Sequence, residues 1–151
     1  FYKKMFVYNY MKRKIYVDGI FDLFHKGHLL QFKDIKELDG IENYLVVGII
    51  SDKDAEKYKR KPIYDEENRK LLVESCKYVD EVLEKAPLIL TEKFINDNKF
   101  DLVCHGFLNK DDEEKQKNFF EIPIKMNKFR SVEYHTGIST TQIIENIKKN
   151  Y

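Results

Sequence analysis

At 151 residues, with 27 Lys and Arg against 26 Asp and Glu and a net charge of +1, the chain is long enough for one domain with a proper core and too short for two. The near-cancelling charge removes any bulk electrostatic case for nucleic acid or an anionic membrane, so recognition of an anion has to be local. No apolar run approaches the ~18 residues of a membrane span, no signal-peptide pattern opens the chain, and the protein reads as cytoplasmic.

Residues 1–13 open on Phe1 rather than methionine and read as an N-terminal arm on a piece of something longer, with the domain over 14–151. Apolar β-rich runs then alternate with helical patterns. Strands are expected near Lys14–Val17, Tyr44–Ile50, Glu81–Leu83, Leu102–Cys104 and Ser131–Glu133. Helices are expected near Gly27–Leu38, Asp52–Tyr58, Glu66–Lys77, Glu92–Asn98 and Thr140–Lys149. The charged stretch Lys110 to Lys117 lacks periodicity and reads as a surface loop or a short exposed helix. The β-α alternation predicts an α/β fold, a doubly wound parallel sheet in one domain, whose ligand lies beyond the carboxyl ends of the strands at a switch in strand order. Cys76 and Cys104 sit in apolar segments without a Cys-x-x-Cys spacing or clustered histidines. They read as reduced packing thiols, and no metal site is expected.

Four motifs carry chemistry. Gly19 to His28 reads Gly-Ile-Phe-Asp-Leu-Phe-His-Lys-Gly-His and follows the first strand. A strand entering a tight glycine turn, with two imidazoles three residues apart at the mouth of a helix, offers N–H groups, a helix dipole and two proton-carrying side chains to one polyphosphate. Gly27 permits close backbone approach, and His25 and His28 share one side of the opening helical turn. The second motif is basic: Lys57, Lys59, Arg60 and Lys61 precede Pro62 with few apolar anchors, either a solvated loop or a mobile cation source for a leaving pyrophosphate. The third is Arg69, whose planar fork suits phosphate, unless it merely pairs with Glu66 or Asp65 on a helix surface. The fourth is Gly137-Ile138-Ser139-Thr140, where a hydroxyl N-caps the amphipathic helix carrying Ile143, Ile144 and Ile147.

The first motif resembles the His-x-Gly-His signature of the nucleotidyltransferases, in the Gly-x-Phe-Asp-x-x-His-x-Gly-His form of the cytidylyltransferase branch. The resemblance covers roughly residues 14 to 150 and implies a Rossmann-like fold and transfer of CMP from CTP to a phosphorylated alcohol. It implies catalytic roles for His25, His28 and Lys59, with Lys61 as the alternative lysine. It places nucleotide contacts at Gly19, Ile20, Phe21, Gly27, Arg69, His105, Gly137, Ile138, Ser139 and Thr140, and Mg²⁺ accompanying CTP. Asp22 either orients the substrate or a metal or hydrogen-bonds the turn backbone. His105 stands either at the alcohol end of the pocket or on the surface at a strand terminus.

In the family, a glutamate precedes the arginine of the third motif, and Asn68 stands there in this chain. The fourth motif in the relatives reads Arg-Thr-Glu-Gly-Ile-Ser-Thr, whereas here Tyr134, His135 and Thr136 occupy the first three positions. One phosphate-binding arginine is thereby removed, unless His135 or Arg130 reaches the same place. The segment Tyr78 to Val82 resembles a dimer-contact stretch, which implies a homodimer or a pseudo-dimer with a second such domain. Asp101-Leu-Val-Cys-His-Gly106, Ala86-Pro87 and Phe120 to Phe129 are similar to the ethanolamine-phosphate enzymes, whose second domain also weakens the arginine signature. CTP and phosphoethanolamine are the implied partners. The alternatives are a choline-phosphate or glycerol-3-phosphate cytidylyltransferase, or a non-catalytic nucleotide-binding partner domain.

Overall fold

Successive strand residues face opposite sides of a sheet, and in the first strand both sides are apolar: Ile15 and Val17 on one, Tyr16 on the other. A strand of this kind has to be covered on both faces. The computed structural model describes residues 12–151 and shows how the cover is built; most of the expected arm, residues 1–11, lies outside the described residues.

Five parallel strands form one sheet: β1 (Lys14–Gly19), β2 (Tyr44–Ile50), β3 (Glu81–Ala86), β4 (Leu102–His105) and β5 (Phe129–Ser131). Their order is β3-β2-β1-β4-β5. Among the described residues six α-helices connect or follow them: α1 (Lys26–Lys36), α2 (Asp52–Tyr58), α3 (Glu66–Glu74), α4 (Glu92–Asp97), α5 (Lys110–Lys125) and α6 (Thr140–Asn150). On one face Ile15, Val17, Leu45, Val47 and Cys104 pack against Phe32 and Ile35 of α1 and Val73 of α3. On the other, Tyr16, Val46 and Val103 meet Leu90, Ile95 of α4, Phe100 and Phe120 of α5. This is the doubly wound, Rossmann-like sheet expected from the sequence. Strand order reverses at β1, between β2 and β4, so the carboxyl ends of β1 and β4 flank the switch point.

Two expectations need correction. Residues 110–117 are neither a loop nor a short helix but the start of the 16-residue α5. Asn109 caps it, and Asp111, Asp112 and Glu113 in its first turn complement the helix dipole. Pro123 is tolerated near its end because the Phe119 carbonyl, denied its usual helical donor, accepts Leu90 N at 3.1 Å instead. Strand β5 begins two residues earlier than expected, because Phe129 is drawn opposite Val103 and into the aromatic layer with Phe120. Tyr78 and Val79 pack inward against the core, and Asp80 accepts Leu45 N and Lys36 Nζ. Both cysteines are buried and free, as expected, and burial pushes the Cys104 thiol up to about 12.

Candidate active site

The turn after β1 is held in a strained shape. Phe21 and Leu23 adopt φ of 53° and 48°, left-handed values that cost non-glycine residues on the order of 1–3 kcal/mol each. Asp22 between them holds the shape: its carboxylate accepts Leu23 N and Tyr64 N on one oxygen and Ile63 N at 2.7 Å on the other. Its carbonyl accepts Thr140 Oγ1 at 2.8 Å. One residue therefore ties the first motif to the segment after Pro62 and to the start of α6. Of the two roles open to Asp22 from the sequence, the backbone-binding one is realised.

His25 is the N-cap of α1; its Nδ1 accepts Gly27 N at 3.0 Å, while His28 Nδ1 accepts His25 N at 3.4 Å. With both Nδ1 atoms accepting, each neutral ring carries its proton on Nε2, leaving two N–H donors for an anion. The rings stack with centroids 3.7 Å apart. Gly27 allows this, since a Cβ there would lie 2.8 Å from the His25 ring. Burial lowers the pKa of both, and His28 falls to about 3, with His25 and Lys59 adding to the effect. The pair therefore meets a ligand as neutral donors. Phosphate charge brought alongside works in the opposite direction and favours protonation.

A crevice of about 690 Å³ opens at the switch point, a size typical of small-molecule sites. It is lined by Gly19, Ile20, Phe21, Asp22, His25 and His28 of the first motif. Lys59 from the end of α2, His105 from β4, and Gly137, Ile138, Ser139 and Thr140 at the start of α6 complete the set expected there. Gly27 lies beneath His25 rather than on the wall. Lys59 ends α2, and its pKa is lowered first by burial and then by the Arg60 charge, with Asp112 opposing. Lys61 lines a separate cleft, so of the two lysines only Lys59 faces the histidines' crevice. Gly137, at φ 94°, turns the chain so that Ser139 caps α6 through Gln142 N.

Arg69 is the largest departure. It is not on the crevice wall and has no exposed surface. Its guanidinium is spent on the Tyr64, Ile20 and Ile50 carbonyls at 3.1, 2.7 and 2.9 Å and on Asp52 Oδ1 at 2.7 Å. The guanidinium is therefore held away from the crevice wall, and the surface pair with Glu66 or Asp65 is not formed. His105 is not a surface residue either: its ring lies against Phe107 and Phe120, and Nδ1 is buried without a hydrogen-bond partner. Burial takes its pKa down to about 4, against the pull of Asp112 and Gln116.

Sequence reasoning missed Asp18, Asp112, Lys115 and Gln116 on the crevice wall. Burial pushes the Asp18 carboxyl up to about 7, against its own backbone N–H and the Tyr16 hydroxyl. The α5 residues were hidden by the misreading of 110–117; the spacing of Asp112, Gln116 and Phe120, four apart on one helix face, was the available signal.

A family model described as cytidylyltransferase-like matches residues 16–146. The chain is 37% identical over 139 residues to choline-phosphate cytidylyltransferase 2 of Arabidopsis thaliana, covering 91% of this chain and 45% of that protein. It is 37% identical over 134 residues to the ethanolamine-phosphate cytidylyltransferase of Dictyostelium discoideum, covering 87% of this chain and 35% of that protein. The chain thus spans less than half the length of these curated relatives. The crystal structure of the lipopolysaccharide core biosynthesis protein from Thermoplasma volcanium GSS1 matches with a TM-score of 0.62 and 26% identity, over 81% of this chain and 97% of that one.

Proposed function

The chain belongs to the cytidylyltransferase-like family, and from that premise we propose that it transfers CMP from CTP to phosphoethanolamine, releasing pyrophosphate. The observation that carries the transfer reading is the convergence on one crevice of the stacked His25–His28 donor pair, Lys59 and the N-terminus of α6. Together these supply neutral N–H donors, an ammonium and a helix dipole for a triphosphate. The phosphate of the acceptor attacks the α-phosphorus in line with the departing pyrophosphate, and no covalent enzyme intermediate is required. His25 and His28 donate to the phosphoryl oxygens on which charge builds, and Lys59 meets the pyrophosphate as it leaves.

Mg²⁺ enters this reading on CTP. The crevice carboxylates do not form a cage for it: both Asp22 oxygens are occupied by backbone N–H groups, those of Asp112 by Leu108 N and Gln116, and burial pushes the Asp18 carboxyl up to about 7. Bound to the nucleotide, it would neutralise phosphate charge. Asp112 and Gln116 on α5 and His105 on β4 stand at the remaining side of the crevice. The choice of phosphoethanolamine over phosphocholine rests on the segments similar to the ethanolamine-phosphate enzymes, Asp101 to Gly106, Ala86-Pro87 and Phe120 to Phe129.

Tyr134, in the place of the relatives' arginine, favours a second reading, a nucleotide-binding domain that is silent alone and packs against an active partner. Pyrophosphate release with CTP and Mg²⁺ separates the two, with phosphoethanolamine, phosphocholine and glycerol-3-phosphate offered in parallel. Turnover with phosphoethanolamine that disappears in His28→Ala is expected. Turnover confined to phosphocholine overturns the choice of alcohol, and CTP binding without release under any acceptor supports the silent domain.

A further inference from the structure

The start of α6 has the geometry of an anion site but no positive side chain of its own. Residues 134–142 contain no lysine or arginine. Its histidine, His135, is paired with Asp34 at 2.6 Å. Arg130 holds both oxygens of Asp39, at 2.7 and 2.8 Å, and does not line the crevice. The Ser139 and Thr140 hydroxyls are also engaged, one with Gln142 N and the other with the Asp22 carbonyl. Neither residue expected to replace the absent arginine does so. A triphosphate seated on N–H groups alone would be under-neutralised, because a helix N-terminus carries only about half a unit of charge.

Arg60 reaches the same place from the other side. It follows Lys59 at the end of α2, lines the crevice, and extends across it to donate from Nη1 to Thr141 Oγ1 at 3.1 Å. The contact joins residues 81 positions apart, and it lies in the first turn of α6. Among the described residues the crevice-lining lysines and arginines are Lys59, Arg60 and Lys115, and Arg60 is the one bonded to that turn.

We propose that Arg60 is the triphosphate-binding arginine of this chain, delivered to the N-terminus of α6 from the lysine-bearing segment in place of the residue at position 134. Its fork can keep one donor on Thr141 while giving a pair to a phosphate oxygen, which a lysine ammonium does less well. The same contact fastens the segment that carries Lys59 to the first turn of α6. The inference rests on the CTP reading above.

Calorimetric titration of CTP and of CMP, in Mg²⁺, into the unaltered chain and its variants tests the proposal. Arg60→Ala should weaken CTP by about tenfold or more while leaving CMP within about threefold, tenfold corresponding to one charge-assisted contact. Adding Tyr134→Arg to Arg60→Ala should restore most of the lost CTP affinity, because a guanidinium returns to the same helix end by the other route. Lys148→Ala, a charge loss at the far end of α6, should change neither ligand. Arg60→Ala binding CTP as tightly as the parent overturns the proposal, and so does an equal loss of CTP and CMP, which would mark a disturbed pocket. An unaltered chain that binds CTP no better than CMP refutes the nucleotide reading itself, and that result appears before any variant is made.

Discussion

Replacing Arg69 with methionine decides between two physical roles for the one arginine that sequence and structure assign differently. The side chain has no exposed surface, and its guanidinium satisfies three main-chain carbonyls, Ile20, Ile50 and Tyr64, besides the Asp52 carboxylate. Methionine fills similar volume but donates nothing, so three carbonyls lose their partners. A buried acceptor left unpaired costs about 1–3 kcal/mol. Asp52, 47% exposed at its side chain, recovers water and adds little. Allowing for partial entry of water, the loss is about 3–6 kcal/mol, a large share of the 5–15 kcal/mol that holds a domain together. Urea titration followed by circular dichroism should show the midpoint falling with an unchanged m-value. Arg69→Lys, which reaches at most part of the set from a single nitrogen, should fall between. Below the unfolding transition, CTP affinity of the methionine variant should stay within about tenfold of the parent, since no crevice contact is removed. A methionine variant within about 1 kcal/mol of the parent in stability, yet without CTP binding, would refute the structural role. It would return Arg69 to the phosphate.

The remaining predictions concern titration. His28 and His105 have pKa values lowered to about 3 and about 4, so their ring resonances should not titrate between pH 5 and 9; a His28 midpoint near 6.5 would show that the stacked pair opens in solution. In the unfolded chain these rings take up protons near 6.5 while the folded ones do not, so their contribution to stability is complete above that pH and is lost as pH falls below it. Asp18 slopes the other way: its folded pKa of about 7 against 3.8 unfolded makes the native state the better proton binder, so stability declines as pH rises from about 4 to 7 and is flat beyond. Asp18→Asn should remove that decline and gain up to about 4 kcal/mol over the parent between pH 4 and pH 8. Thermal melts of both proteins across that range would expose the opposite result, a parallel pair of curves.

What could be read in the sequence was local in the chain. Gly19 to His28 is a strand end, a turn and a helix start in ten consecutive residues, and the two Nδ1 bonds that fix both tautomers span two and three positions. The strands were equally plain, because β1 and β2 are apolar on both faces and need no knowledge of a neighbour. The misreadings were all of groups whose partners lie far off. The role of Arg69 depends on Ile20, 49 residues earlier, and on Ile50 and Asp52 across β2. Helix α5 looked like a charged loop because the turns that carry Asp112 and Gln116 hold nothing apolar, and the residues that anchor it, Phe119 and Phe120, come only later and pack in the layer with Leu90 and Phe129. The backbone-binding role of Asp22 is completed by N–H groups 41 and 42 residues away, which a local reading does not contain. The same logic bears on the missing arginine of the α6 signature. A motif comparison scores position 134 as a loss because it compares one position at a time, whereas a triphosphate responds to charge at a point in space. Arg60 and Thr141 meet at the start of α6 from segments 81 residues apart, so in the proposal above the guanidinium reaches the same helix end by another route.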